Sequence, residues 1–210
     1  MTANNKRRVA RGLQIGVHLG ALSAFLWLFY ALPAGKLGGD PVPELIHYLG
    51  LGALRLLMLC LLITPLAKWT KNSQLMRLRR PLGLWAFTWM SLHFSAWRLF
   101  ELELLWGLIG EEIVKRTYIL IGFSIWLAML SLAVTSVPKI MRKMGRNWVI
   151  LHRLIYPALL LACVHFWWSQ KSGWIEPASY LLLCIAILAL RPDKLRRIFI
   201  KPKPALASSR

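Results

Sequence analysis

Acidic side chains are scarce in this chain: eight aspartates and glutamates stand against 27 lysines and arginines in 210 residues, a formal net charge of +19. Cysteine is scarcer. Cys60, Cys163 and Cys184 all fall inside apolar runs and form no CxxC pair, which excludes a disulfide framework or a zinc knuckle and leaves them as small buried apolar residues. No CxxCH occurs, so any haem would be held without thioether bonds, as a b-type group. No glycine-rich phosphate loop, low-complexity tract or internal repeat stands out, and the turn-rich segment from Pro33 to Pro41 is too short to be a domain.

What the chain has in abundance is apolar surface. At 57% hydrophobic residues it carries more than one soluble core of this length can hide, so lipid must cover the excess. Runs of about 18 or more apolar residues read as membrane-spanning helices, because a helix satisfies its own backbone polar groups in hydrocarbon. Such runs lie at 13–32, 46–66, 82–100, 118–136, 148–169 and, shorter, 177–190. The predicted fold is an all-α integral membrane protein, a bundle of six transmembrane helices forming one domain over 1–210, with basic tails at 1–12 and 191–210. The first run is longer than a signal-peptide core, so no cleavage is expected, and Arg7-Arg8 matches a twin-arginine signal only in that dipeptide.

The charges alternate between loops. Lys6, Arg7, Arg8 and Arg11 precede the first run; Lys68, Lys71, Arg77, Arg79 and Arg80 follow the second; Lys139, Arg142, Lys143 and Arg146 follow the fourth. The last run leads into Arg191, Lys194, Arg196, Arg197, Lys201, Lys203 and Arg210. The intervening loops hold Asp40, Glu44, Glu101, Glu103, Glu111, Glu112 and Glu176 against only Lys36, Lys115, Arg116 and Lys171. By the positive-inside rule both termini are therefore cytoplasmic. The basic residues orient helices and meet anionic lipid heads, and a nucleic-acid partner is not expected.

With no soluble domain of useful size, chemistry falls to polar groups inside the membrane. His93 lies about 16 Å from the cytoplasmic start of the third span, and His165 roughly 20 Å beyond His152 on the fifth. His93 and His165 are the natural pair of axial haem ligands across the bundle, the alternative being interhelical hydrogen bonding. Their expected depths differ by several ångströms. On an ideal helix His152 and His165 point to different faces, but Pro157 between them is expected to kink the helix. No histidine stands opposite His152; Arg77, Arg79 and Arg80 do, as membrane anchors or as partners for haem propionates or a flavin phosphate. Arg55, inside the second span, needs an anion and suggests a propionate. Arg98 is close enough to a helix end to snorkel. His18 and His47 read as structural more readily than as quinone or flavin contacts. Trp69, Trp85, Trp148, Trp167, Trp168 and Trp174 are expected in the interfacial belt.

The run Arg79-Arg80-Pro81-Leu82-Gly83-Leu84-Trp85, leading to Leu92-His93, resembles the MsrQ family of haem-binding membrane subunits, formerly YedZ. So do Leu61-Leu62-Ile63-Thr64-Pro65-Leu66-Ala67, Leu37-Gly38-Gly39-Asp40-Pro41-Val42 and Leu151-His152-Arg153-Leu154 with His165, in order and at matching spacing. The resemblance covers nearly the whole chain. That family sits in the ferric-reductase-like transmembrane group, whose fuller members carry two histidines on each of two helices; this chain keeps three of the four. It implies that His93 and His165 bind the iron of an outer haem b, with His152 at an inner position opposite Arg79 or Arg80. It further implies FMN, the bacterial inner membrane, and an electron conduit rather than an enzyme in its own right. Electrons from a quinol or a cytosolic flavin reductase would pass to a periplasmic molybdenum enzyme, the MsrP-like subunit, that reduces methionine sulfoxide in oxidised proteins. Two rivals remain at this point: a membrane reductase acting directly on a metal ion or oxygen, and a haem-free transporter or assembly factor using the histidines as polar glue or proton relays. The acidic loop from Glu101 to Glu112 is the expected docking surface for a soluble partner.

Overall fold

A computed structural model describes residues 3–101, 106–170 and 173–191 of the chain. The tail beyond Arg191, together with Glu103 and Lys171, lies outside the described residues. Among the described residues all regular structure is helical: α1 (Ala3–Ala31), α2 (Pro41–Trp69), α3 (Arg79–Ala96), α4 (Trp106–Lys115), α5 (Thr117–Thr135), α6 (Pro138–Met144), α7 (Arg146–Leu151), α8 (Ile155–Ser169) and α9 (Ile175–Ala189). Each of the six apolar runs read from the sequence falls on a helix. Four segments are long and apolar enough to cross a membrane: Arg7–Ala31, Pro41–Trp69, Thr117–Thr135 and Arg146–Ser169. The chain is a multi-pass membrane protein. The run at 82–100 is carried by α3, which passes into a π-helical turn over Trp97–Glu101, and the run at 177–190 by α9, which has 15 residues. Residues 3–12, expected as a basic tail, continue α1.

The core follows from the apolar faces of α2, α3, α5, α8 and α9. Leu57, Leu61, Leu159, Cys163 and Cys184 are fully enclosed, with Trp89, Met129 and Ile187 almost so. All three cysteines are free and buried, as their apolar surroundings predicted. α1 packs more loosely and is tied on by polar contacts: Gln14 donates to the Arg77 carbonyl at 3.2 Å, the Trp85 indole N–H to His18 Nδ1 at 2.8 Å, and the Tyr48 hydroxyl to the Ala24 carbonyl at 2.9 Å. His18 is thus a structural acceptor, and Trp85 points inward rather than joining a belt. Trp69, Trp167, Trp168 and Trp174 are exposed near helix ends, as belt residues should be.

Two prolines shape the bundle. Pro157 cannot donate to the carbonyl four residues earlier, and its ring crowds that carbonyl. The break falls there: His152–Leu154 form a 3-10 turn between α7 and α8. Pro65 sits inside α2 and leaves the Leu61 carbonyl without its helical donor. The Arg191 guanidinium, 4% exposed at the end of α9, fills that gap through Nη2, while its Nη1 reaches the Tyr156 hydroxyl at 3.3 Å. The end of α9 is thereby fastened to α2 and α8 at the end of the bundle that carries Arg77, Arg79 and Arg80.

Candidate functional site

His93 rises from α3 and His165 from α8, and the bundle brings them together: their ring centroids are 6.3 Å apart, with the planes at 87°. The depth mismatch expected between them is absorbed by the packing. Each imidazole is held in the same way. His93 Nδ1 lies 2.8 Å from the Ile46 carbonyl near the start of α2, and His165 Nδ1 lies 2.7 Å from the Tyr118 carbonyl at the start of α5. A carbonyl only accepts, so both Nδ1 atoms carry the proton and both Nε2 atoms keep a lone pair. An imidazole oriented by a backbone carbonyl through one nitrogen is prepared to ligate a metal with the other.

The close approach depends on glycine. One helical turn past each anchoring carbonyl stands Gly50 or Gly122. A Cβ at Gly50 would meet His93 Nδ1 at 2.9 Å, and one at Gly122 would meet His165 Cε1 at 2.8 Å. The carbonyl precedes its histidine by 47 residues in both cases. Ile46, Gly50 and His93 therefore map onto Tyr118, Gly122 and His165 by a single step along the chain, and the same step takes Phe94 to Phe166 and Arg80 to His152. No repeat was visible in the sequence because almost everything between these positions is generic apolar filling. The signal that would have found it is the recurrence of Gly and His-Phe at one spacing.

Among the described residues no group of three or more His, Cys, Asp and Glu could hold a bare metal ion. Two imidazoles suit instead a metal that arrives with its remaining ligands in a macrocycle, needing only axial donors.

The model of the ferric reductase-like transmembrane component family matches residues 49–163, more than half of the chain. The chain belongs to that family. The matched stretch takes in most of α2, all of α3 and α5 and most of α8, with Gly50, His93, Gly122 and His152 inside it and Ile46 and His165 just outside. Membership marks this protein as a membrane electron-transfer component.

The other residues singled out in the sequence are placed as follows. His152 occupies the 3-10 turn, its Nδ1 3.1 Å from the Trp148 carbonyl and its ring stacked on Trp148 at 3.9 Å, so Trp148 serves this histidine rather than a belt. Of the two candidate arginines, Arg79 is the one whose charge reaches His152; it is half-buried with Nε unpartnered, whereas Arg80 is exposed. Arg55 is exposed midway along α2 and donates through Nε to the Tyr180 hydroxyl at 2.7 Å, a partner the sequence did not suggest. His47 contacts Gln170 at 3.3 Å and lies 3.9 Å from Glu176. On the expected docking loop, Glu111 pairs with Lys115 and Glu112 with Arg116, each one turn along. Half of the acids counted there are thus already offset by neighbours.

Proposed function

We propose that the chain is the haem b membrane subunit of an electron-transfer system, with His93 and His165 as axial ligands, passing electrons to a soluble partner outside the membrane. The observation that carries this reading is the pair of imidazoles, each fixed by a backbone carbonyl through Nδ1 and backed by a glycine, with their Nε2 lone pairs left over. When bound there, haem supplies a one-electron carrier; the chain's own work is to orient the rings and exclude water. The resemblance to the MsrQ family supports a periplasmic methionine sulfoxide reductase as the electron acceptor and the bacterial inner membrane as the location. FMN, implied by the same resemblance, would find its phosphate contacts at Arg79 and Arg80. Six crossings with both termini cytoplasmic fit the alternation of basic and acidic loops.

The test is the reduced-minus-oxidised spectrum of detergent-purified protein, with extracted haem quantified. A b-type spectrum is expected. Because the imidazole planes stand at 87°, the ferric form should give a strongly anisotropic low-spin EPR signal rather than the rhombic signal of parallel rings. A haem-free protein from haem-replete cells would reject the reading.

Topology is checked separately by single cysteines introduced into a chain lacking its own three. Lys71→Cys and Lys143→Cys should react with a membrane-impermeant maleimide only after the cells are opened, and Lys36→Cys in intact spheroplasts. The reverse pattern would invert the orientation.

A further inference from the structure

Arg55 brings a full positive charge to the middle of α2, where a charge is costly to keep. It lies about 140° round that helix from Gly50, the residue that backs the His93 ring, so its side chain is turned away from the space between His93 and His165 and towards α9. There its Nε donates to the Tyr180 hydroxyl at 2.7 Å, and its Cζ lies 5.8 Å from the centre of the Tyr180 ring. None of the described ion pairs includes it. Glu176, one turn before Tyr180 on α9, faces His47 at 3.9 Å instead. The guanidinium is thus held in place by a phenol, which fixes its position and leaves its charge in force.

Tyr180 is in turn seated on the part of α8 that carries His165. Its ring meets the Phe166 ring edge-on, at 5.7 Å and 82°, and its carbonyl lies 3.8 Å from Cys163 Sγ, so it touches α8 on both sides of His165. Arg55 therefore stands two ring contacts from the neighbour of His165, near enough for its field to act on the histidine pair but on the wrong face of α2 to touch a group bound between the imidazoles. A one-electron carrier gains one negative charge when it is reduced, and a fixed cation nearby stabilises that form. Arg55 also lines an open cavity of about 630 Å³, so its field is partly screened by solvent. With an effective dielectric of about 20 and a separation on the order of 12 Å, one elementary charge still changes an equilibrium constant by about ten-fold.

We infer that Arg55 sets the redox potential of the electron carrier held by His93 and His165, raising it through its charge rather than through contact, and that Tyr180 is the positioning residue that keeps the guanidinium at its working distance. This inference rests on the haem reading above. A raised potential makes the outer site easier to reduce from the inner side of the membrane, and it restricts onward transfer to acceptors of higher potential still. The pair on α2 and α9 thereby selects which soluble partners the histidine site can serve, without belonging to the ligand set.

The test is a potentiometric titration of the b-type absorption band in the detergent-purified, haem-loaded full chain, with haem per chain measured alongside. Arg55→Gln removes the charge and keeps a hydrogen-bond donor for Tyr180. It should lower the ratio of reduced to oxidised haem at a fixed solution potential by about ten-fold, a downward midpoint shift of about 59 mV. Arg55→Lys keeps the charge and should stay within about two-fold of the wild type, a rescue that a role in packing or in guanidinium shape would not give. Tyr180→Phe keeps the charge but releases it, and its midpoint should fall between those of the wild type and Arg55→Gln. Haem per chain should be the same in all four proteins. A wild-type midpoint in fully loaded Arg55→Gln would overturn the inference, and so would an Arg55→Lys midpoint as low as that of Arg55→Gln. Loss of haem from Arg55→Gln would overturn it too, since the guanidinium would then be holding the bound group by contact. A wild type that carries no haem would reject the haem reading itself, and this inference with it.

Discussion

Gly122→Val is expected to empty the histidine pair as completely as His165→Ala does, although every ligand is still present. A Cβ at position 122 would stand 2.8 Å from His165 Cε1, 3.1 Å from Nδ1 and 3.4 Å from Nε2, so the whole edge of the ring must move. The ring cannot slide freely, because its Nδ1–H is committed to the Tyr118 carbonyl one turn earlier. Moving it breaks that hydrogen bond and leaves a buried acceptor without its partner, at a cost of about 1–3 kcal/mol. Gly50→Val should act in the same way on His93, where the added carbon would lie 2.9 Å from Nδ1. His93→Ala and His165→Ala remove a ligand outright, and each should abolish the b-type spectrum, whereas His152→Ala should leave the haem at the His93–His165 pair in place. The measurement is haem per chain in purified protein, alongside helical content by circular dichroism to separate a displaced ligand from a misfolded bundle. Folded Gly122→Val with a full complement of haem would show that the glycines are packing residues unconnected with the site.

How much of this was legible beforehand follows from what each residue does. Apolar runs announce helices because length and hydropathy alone decide whether a segment can live in lipid, and all six runs lie on helices. His93 and His165 were legible as a pair because imidazole deep in a membrane is costly and rare. Their alignment in depth was not, since it depends on how α3 and α8 pack against α2 and α5. The carbonyl anchors at Ile46 and Tyr118 are invisible in principle: a backbone oxygen carries no side-chain signature. Gly50 and Gly122 were visible only as glycines, and a helix-interior glycine has many causes. Arg55 was marked as a charge in need of a partner, with a propionate suggested; its hydrogen bond to Tyr180 could not be named from a sequence in which the two lie 125 residues apart. The kink expected from Pro157 appeared as a 3-10 turn at His152–Leu154, because the ring acts on the turn before it rather than at its own position.

Arg191 shows the same limit from the other side, since it read as one more positive charge in a basic tail. In the fold its side chain replaces the backbone donor that Pro65 removes from α2. Arg191→Leu should therefore destabilise the protein by about 1–3 kcal/mol, the cost of leaving the buried Leu61 carbonyl unpaired. The loss of an arginine that has no described carboxylate partner offsets part of that cost, so the single variant does not isolate the role. A double-mutant cycle does. Pro65→Ala returns an N–H to position 65, and the helix can then satisfy Leu61 without help from α9. In the Pro65→Ala background Arg191→Leu should cost about 1–2 kcal/mol less than in the wild type, a coupling expected only between groups that share one hydrogen-bonding need. The readout is the unfolding midpoint in mixed detergent and sodium dodecyl sulfate titrations of the four proteins. Additive effects would mean that Arg191 serves Tyr156 or the membrane surface and that the Leu61 carbonyl is satisfied some other way; a positive coupling would establish that a side chain just past the end of α9 completes the backbone of α2.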